Sequence, residues 1–250
     1  MSRDTDGAPR RRRPTQVADA IKALIVENEL RAGDRLPSET ELIDHFQMAK
    51  STIREATRIL EAQGIVTTRT GPGGGSFVEA VSPDRASALL ANYFYFEDLT
   101  IDDIYQLRQS LEPELAASLA GRLSEADLAE LEAILALYPE PARSAEEERD
   151  HHVAALRFHA RLAEMAGNRL LGFIIGFMAR ILTDLTVYRR LYEQPNEALW
   201  REGRNHQSAL IEALRSGDAT GARQIMSSHM RSAHALMDAQ AAEVGKRFIV

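Results

Sequence analysis

The chain has 250 residues with no cysteine, 44% hydrophobic and 27% charged residues, and a formal net charge of −7; this is the profile of a folded globular protein, not of a disordered or collagen-like one. Without cysteine there is no disulfide, thiolate nucleophile or thiolate metal site, so any metal must be held by histidine, carboxylate or solvent, and a reducing compartment is expected. The charge is uneven: residues 1–80 hold 12 Lys and Arg against 12 Asp and Glu, which leaves the whole −7 on residues 81–250.

In chain order, residues 1–14 carry the run Arg10 to Arg13 and no apolar signal core, so they read as a basic disordered tail, either solvated or contacting phosphate. From Thr15 to Glu29 the apolar residues Val17, Ile21, Leu24 and Ile25 recur at helical spacing, and Gly33-Asp34 supplies a turn. Ser38-Glu39-Thr40-Glu41 has the form of a capping box and opens a second helix through Phe46. After Gln47 to Lys50 a third helix, Ser51 to Gln63, turns Ile53, Ala56, Ile59 and Leu60 inward and leaves Lys50, Thr52, Arg54 and Arg58 near its start or off that stripe. Two β-rich runs, Ile65 to Arg69 and Ser76 to Glu79, flank the loop Thr70 to Gly75 and predict a hairpin or wing. The glycines do not form a nucleotide loop, since no Gly-Lys-Ser/Thr follows and no long helix opens after Gly75. A short helix followed by one with a basic N-terminal end suits the DNA major groove, where arginine reaches guanine O6 and N7.

Three segments, Gly33-Asp34-Arg35-Leu36-Pro37-Ser38-Glu39, Ser51-Thr52-Ile53-Arg54-Glu55-Ala56 and Leu60-Glu61-Ala62-Gln63-Gly64-Ile65, resemble the DNA-binding domain of the GntR family of bacterial transcription regulators. The resemblance implies a winged helix-turn-helix over residues 15–80 and nominates Lys50, Thr52, Arg54, Thr70 and Gly71 as operator contacts; Arg35, Arg58 and Arg69 complete the DNA-facing set. Two departures stand out: Gln47 replaces a common turn glycine, and Met48-Ala49-Lys50 replaces a common Val-Ser-Arg, giving a point charge in place of a planar fork.

A linker at residues 81–84 leads to a second domain, 85–250, with helical periodicity and almost no strand signal. The expected helices are Asp84 to Tyr95, Ile101 to Gly121, Ser124 to Leu137, Ala145 to Ala166, Asn168 to Tyr192, Asn196 to Ser216 and Asp218 to Val244. The fold class is therefore mostly α: an N-terminal winged helix-turn-helix and a C-terminal all-α antiparallel bundle. The apolar run Leu170 to Met178 is broken by two glycines and stopped by Arg180, short of the roughly 20 residues a membrane span needs, so no membrane partner is expected and the cytoplasm is the expected location.

Three histidines, His159, His206 and His229, sit on apolar stripes of three different helices. Each alone reads as a core histidine bonded to a neighbour; together they ask for a shared acceptor, water or cation. Phe158-His159, Ala166-Gly167-Asn168, Asn205-His206 with Glu212-Ala213, Ser216-Gly217-Asp218 and Ser228-His229 resemble the FCD effector domain of the FadR-like GntR branch. That resemblance implies a divalent metal on one Asp and three His with a small carboxylate effector above it, and so one zinc or nickel ion per chain on His159, His206 and His229. The family's Asp position is Ala155 here, which removes the anionic ligand; His152, seven residues before His159, is either a substitute or solvent-facing.

Arg108 falls on the stripe Ile104, Arg108, Leu111, Leu115 and reads either as an internal pair with Glu112 at i+4 or as a fork for an effector carboxylate. Effector binding is accordingly assigned to Arg108, His159, His206 and His229. The cluster Tyr93 to Phe96 and Trp200 read as packing, with a domain-coupling contact the alternative for the cluster. The expected function is a ligand-responsive homodimeric regulator on double-stranded, two-fold operator DNA, without catalytic residues. Two alternatives remain: the same regulator with a metal-free pocket for a larger apolar or acyl ligand, and a His-dependent metalloenzyme fused to a targeting domain.

Overall fold

The structure, a computed structural model, describes residues 13–97, 99–188 and 195–238. It divides into two compact units, residues 1–86 and 87–250, each built on its own core.

The first unit contains α1 (Arg13–Glu27), α2 (Glu39–Phe46), α3 (Lys50–Ala62), β1 (Val66–Arg69) and β2 (Gly75–Val78). Ile21, Leu42, Ile53, Leu60 and Val66 from these elements are buried together. The capping box at α2 is formed: Ser38 Oγ accepts from the Glu41 N–H at 3.3 Å, and the Ser38 N–H donates to Glu41 Oε2 at 2.7 Å. Gln47 closes α2 in the left-handed region, at φ 51°, and its side chain donates to the Asp44 carbonyl at 2.6 Å. A non-glycine residue there costs roughly 1–2 kcal/mol, which the side-chain bond offsets in part. The two strands pair antiparallel, Val66 with Val78 through Arg69 with Gly75, and the turn between them takes positive φ at Gly71 and Gly73. Arg35 adds an isolated bridge to Phe77, so the segment before α2 braces the wing from the side.

The second unit is a helical bundle of α5 (Ile101–Leu119), α6 (Glu125–Leu135), α7 (Ala145–Glu164), α8 (Arg169–Tyr188), α9 (Glu197–Ser216) and α10 (Ala219–Asp238); α4 (Pro83–Phe94) spans the division between the units. Helix α5 touches α7, α8, α9 and α10 and packs most extensively on α10. Capping boxes at Thr100 and Ser124 start α5 and α6, and the left-handed Gly217 ends α9. The core includes Tyr105, Leu115, Phe158, Leu162, Ile175 and Met226. Phe94 joins it, with its ring centroid 6.0 Å from that of Phe177, whereas Tyr93 and Phe96 are exposed.

The observed helices depart from the expected ends by a few residues. Arg13 and Pro14, expected in the tail, open α1, because proline is favoured in the first turn where its missing N–H has no partner to lose; the rest of the basic run lies outside the described residues. Pro83 and Asp84, expected in the linker, open α4 for the same reason. The expected extensions of α8 to Tyr192 and of α10 to Val244 run into residues outside the described ones. No helix among the described residues is long and apolar enough to cross a membrane.

Candidate functional sites

On the first unit the face opposite the buried Ile53, Ala56 and Leu60 carries Lys50, Arg54 and Arg58, spaced i, i+4 and i+8 along α3 and all more than half exposed. Ala49, the N-cap, offers no side-chain bond to the open N–H groups of the helix, which leaves that end favourable for an anion. Glu39, at the start of α2, takes both cations: Arg54 Nε donates to it at 2.8 Å and Lys50 Nζ lies 3.1 Å away. The Arg54 hydrogen bond, followed by Lys50, holds the Glu39 carboxyl below the usual range. Arg58 stands 3.9 Å from Glu55. Thr52 is half-buried in the first turn of α3, and Thr70 and Gly71 are exposed at the wing tip. Arg35 and Arg69 hold the wing: Arg35 Nη2 donates to the Gly74 carbonyl at 2.8 Å, and the Arg69 guanidinium lies 4.7 Å from the Phe77 ring centroid.

In the second unit α5, α7, α9 and α10 enclose a cavity of about 570 Å³, counting its open mouth. Helix α7 contributes Glu148, His152, Ala155 and His159 from one face, at steps of four, three and four residues. Under the cavity lies Glu112 of α5, 1% exposed. Arg108 Nε donates to Glu112 Oε1 and His159 Nδ1 donates to Glu112 Oε2, both at 2.5 Å. Burial alone would push the Glu112 carboxyl up, but the Arg108 guanidinium and His159 outweigh it and hold the group down to about 2. An ionised carboxylate only accepts, so the proton of this contact belongs to His159 Nδ1.

That bond aims His159 Nε2 at His229 Nε2, 3.1 Å away. Burial, with His159 and Arg108 adding to it, pushes His229 well below an ordinary imidazole. His206 adjoins His229 with ring centroids 5.4 Å apart, and its buried Nδ1 meets no acceptor or donor among the described residues. His152 lines the cavity instead of facing solvent, and burial followed by the Arg108 charge pushes it down to about 3.

Both readings of Arg108 meet in one side chain. It is the internal partner of Glu112, and it is 2% exposed with the Tyr105 ring 5.0 Å from its guanidinium carbon. Its Nη2 nevertheless finds no acceptor among the described residues, and Arg108 lines the cavity. Sequence reasoning missed the far wall. There Tyr138 donates to Gln207 Oε1 at 2.6 Å, the Trp200 indole donates to the Tyr138 carbonyl at 3.0 Å, and Arg204 donates to the carbonyls of Leu135 and Tyr138.

The divalent ion implied by the FCD resemblance can be tested on these donors. Two imidazole nitrogens on one zinc at 2.0–2.1 Å stand about 3.3 Å apart, and His159 and His229 come close to that separation. Ala155 supplies no anion, and no group of three or more His, Asp or Glu among the described residues converges on one point. The donor set is incomplete, and no step below passes through a metal.

The comparisons with known proteins agree with both units. The bacterial regulatory protein gntR family matches residues 14–78, and the FCD domain matches residues 103–232, more than half of the chain. This chain belongs to the GntR family. An Escherichia coli (strain K12) regulatory protein named for the L-lactate dehydrogenase operon is 29% identical over 237 residues, 91% of this chain and 87% of its own. LutR of Bacillus subtilis (strain 168), an HTH-type transcriptional regulator, is 25% identical over 82% of this chain and 97% of its own. The solved Streptococcus agalactiae GntR, 24% identical, superposes with a TM-score of 0.60 over 89% of this chain and 99% of that one, which shows the shared fold. The regulator therefore binds DNA through its winged helix and a small molecule through its FCD domain, and the metalloenzyme alternative falls.

Two outcomes follow from the cavity floor. In E112Q the Arg108 guanidinium stays buried without its counter-charge, so the variant should lose about 3–5 kcal/mol at neutral pH in urea unfolding. Because Glu112 titrates below its ordinary value in the folded chain, its contribution is complete above pH 4.5 and lost as the pH falls toward 2; the gap between E112Q and the natural chain should close over that interval. A155D, which restores an anion to the cavity wall, should bind zinc at least tenfold more tightly in chelator competition. Equal affinities would place residue 155 away from any ion held by the histidines.

Proposed function

We propose that the regulator acts in the cytoplasm as a homodimer on two-fold operator DNA, and that a small carboxylate held in the FCD cavity modulates its DNA affinity. The observation that carries the effector reading is the buried Arg108 Nη2, a charged donor without a protein acceptor that faces a cavity of small-molecule size. A carboxylate is the acceptor that suits a guanidinium, and a charge-assisted bond in a site closed to water is stronger than a neutral one. The cavity floor of Arg108, His159 and His229 is polar, which favours an acid over the larger apolar or acyl ligand. Homodimerisation is the arrangement that matches two winged helices to a two-fold site.

On the DNA side the reading rests on the cation row of α3. Lys50 and Arg54 already hold a carboxylate, Glu39, beside the N-terminus of α3, and a DNA phosphate would compete for the same cations. Arg54→Ala should lower affinity for sites selected from random duplex DNA by about 1–3 kcal/mol if Arg54 reads a base; unchanged selectivity would remove it from that role.

For the effector, R108K keeps the charge beside Glu112 and removes the guanidinium fork. Calorimetry with monocarboxylates of two to six carbons should show binding to the natural chain that weakens by about 10- to 100-fold in R108K, the loss of one charged hydrogen bond. Equal affinities would overturn the anchoring role of Arg108.

A further inference from the structure

Glu148 is the one carboxylate among the described residues that lines the FCD cavity. It lies in the first turn of α7, only 4% exposed, beside two exposed acids, Glu146 and Glu147, of the same run. Burial pushes its carboxyl up, and the backbone N–H of Asn196, the N-cap of α9, donates to it and opposes that shift. A carboxylate has about four acceptor positions, so one N–H leaves capacity for a further donor. Along α7, Glu148 precedes His152 by one turn, about 6 Å, and His152 lies within the field of Arg108.

Between these two ends the wall is apolar, formed by Ala155, Leu156, Leu199, Trp200 and Met230. Arg204 also borders the cavity, but its guanidinium is engaged by the carbonyls of Leu135 and Tyr138. A second anionic group on the ligand would thus meet Glu148 and no uncommitted arginine.

We infer that the cavity selects a monocarboxylate carrying a hydrogen-bond donor, a hydroxyl or an ammonium, about one helical turn from its carboxylate: Arg108 binds the acid end, Glu148 accepts from the donor end, and dicarboxylates are excluded. This rests on the anchoring by Arg108 proposed above and adds a specificity residue at the opposite end of the same site. Like charges brought together in a desolvated site are costly, whereas a donor placed on a buried acceptor is favourable.

The test is calorimetry on the full-length chain with four ligands of equal length: pentanoate, 5-hydroxypentanoate, 5-aminopentanoate and glutarate. At least one donor-ended ligand should bind tenfold or more tightly than pentanoate, and glutarate tenfold or more weakly. In E148Q, confirmed as folded by circular dichroism, the preference for the ammonium should collapse and glutarate should gain affinity. The order of the four ligands on the natural chain decides the matter even if E148Q does not fold. Equal binding of all four overturns selection by Glu148 while leaving Arg108 as the anchor, and so does a preference that persists in folded E148Q. If none of the four binds, both ends of the reading are overturned. The same series in four- and six-carbon lengths separates a wrong span from a wrong chemistry: a donor preference at any length supports the assignment, and none at all three overturns it.

Discussion

One buried carboxylate organises the effector domain. An ionised acid inside a helical bundle is costly unless its oxygens are matched, and Glu112 is matched twice, by Arg108 one turn earlier on α5 and by His159 on α7. The two bonds determine more than their own geometry. The first holds Arg108 by Nε and leaves Nη2 without a protein acceptor; the second sets the His159 tautomer and turns Nε2 toward His229 on α10. Three helices are thereby registered against one another by a single side chain beneath the cavity, and the cavity floor takes its polarity from it.

The same logic separates what could be read from the sequence and what could not. Local signals carried the winged helix: the apolar spacing of α1 and α3, the Ser38/Glu41 capping box and the glycines of the wing all act within a few residues of themselves. The Arg108–Glu112 pair was legible for the same reason, being i, i+4 on one helix. Glu112 to His159 and His159 to His229 are 47 and 70 residues apart, and nothing in helical periodicity states which faces of two helices meet. Glu148 was hidden differently. Acids in a first turn read as complements to the helix dipole, and only the face that Glu148 shares with His152 and His159 distinguishes it from Glu146 and Glu147. The misplaced ends of α1 and α4 come from treating Arg13-Pro14 and Pro83-Asp84 as chain outside a helix, when proline fits the first turn.

On the DNA-reading unit the argument concerns competition. Surface ion pairs contribute little to stability, about 0–1 kcal/mol, so the contacts of Glu39 with Lys50 and Arg54 matter less for folding than for where those cations wait. Long side chains held near one position lose less freedom on binding, while the carboxylate holding them must give them up to phosphate or base. Glu39 thus lowers non-specific affinity and preserves geometry together. This suits a chain whose first eighty residues carry no net charge and whose remainder is acidic, since attraction to DNA then depends on a few placed cations instead of the field of the whole molecule.

A ligand can alter DNA affinity only by as much as it prefers one arrangement of the protein over another. Coupling free energies of regulators fall around 1–3 kcal/mol, about the size of one hydrogen bond to a charged group. The unmet Nη2 of Arg108 is therefore sufficient in magnitude, provided that the carboxylate bond forms well in one state and poorly in the other. Glu112 bears on where that difference can arise. Because it locks Arg108 and His159 to each other, the floor is the stiff part of the site, and the wall formed by the start of α7 and by α9 is where closure on a ligand can differ. By reciprocity, operator DNA must shift carboxylate affinity by the same factor, so the donor end of the ligand, which meets that wall, is the end whose contacts report the DNA-bound state.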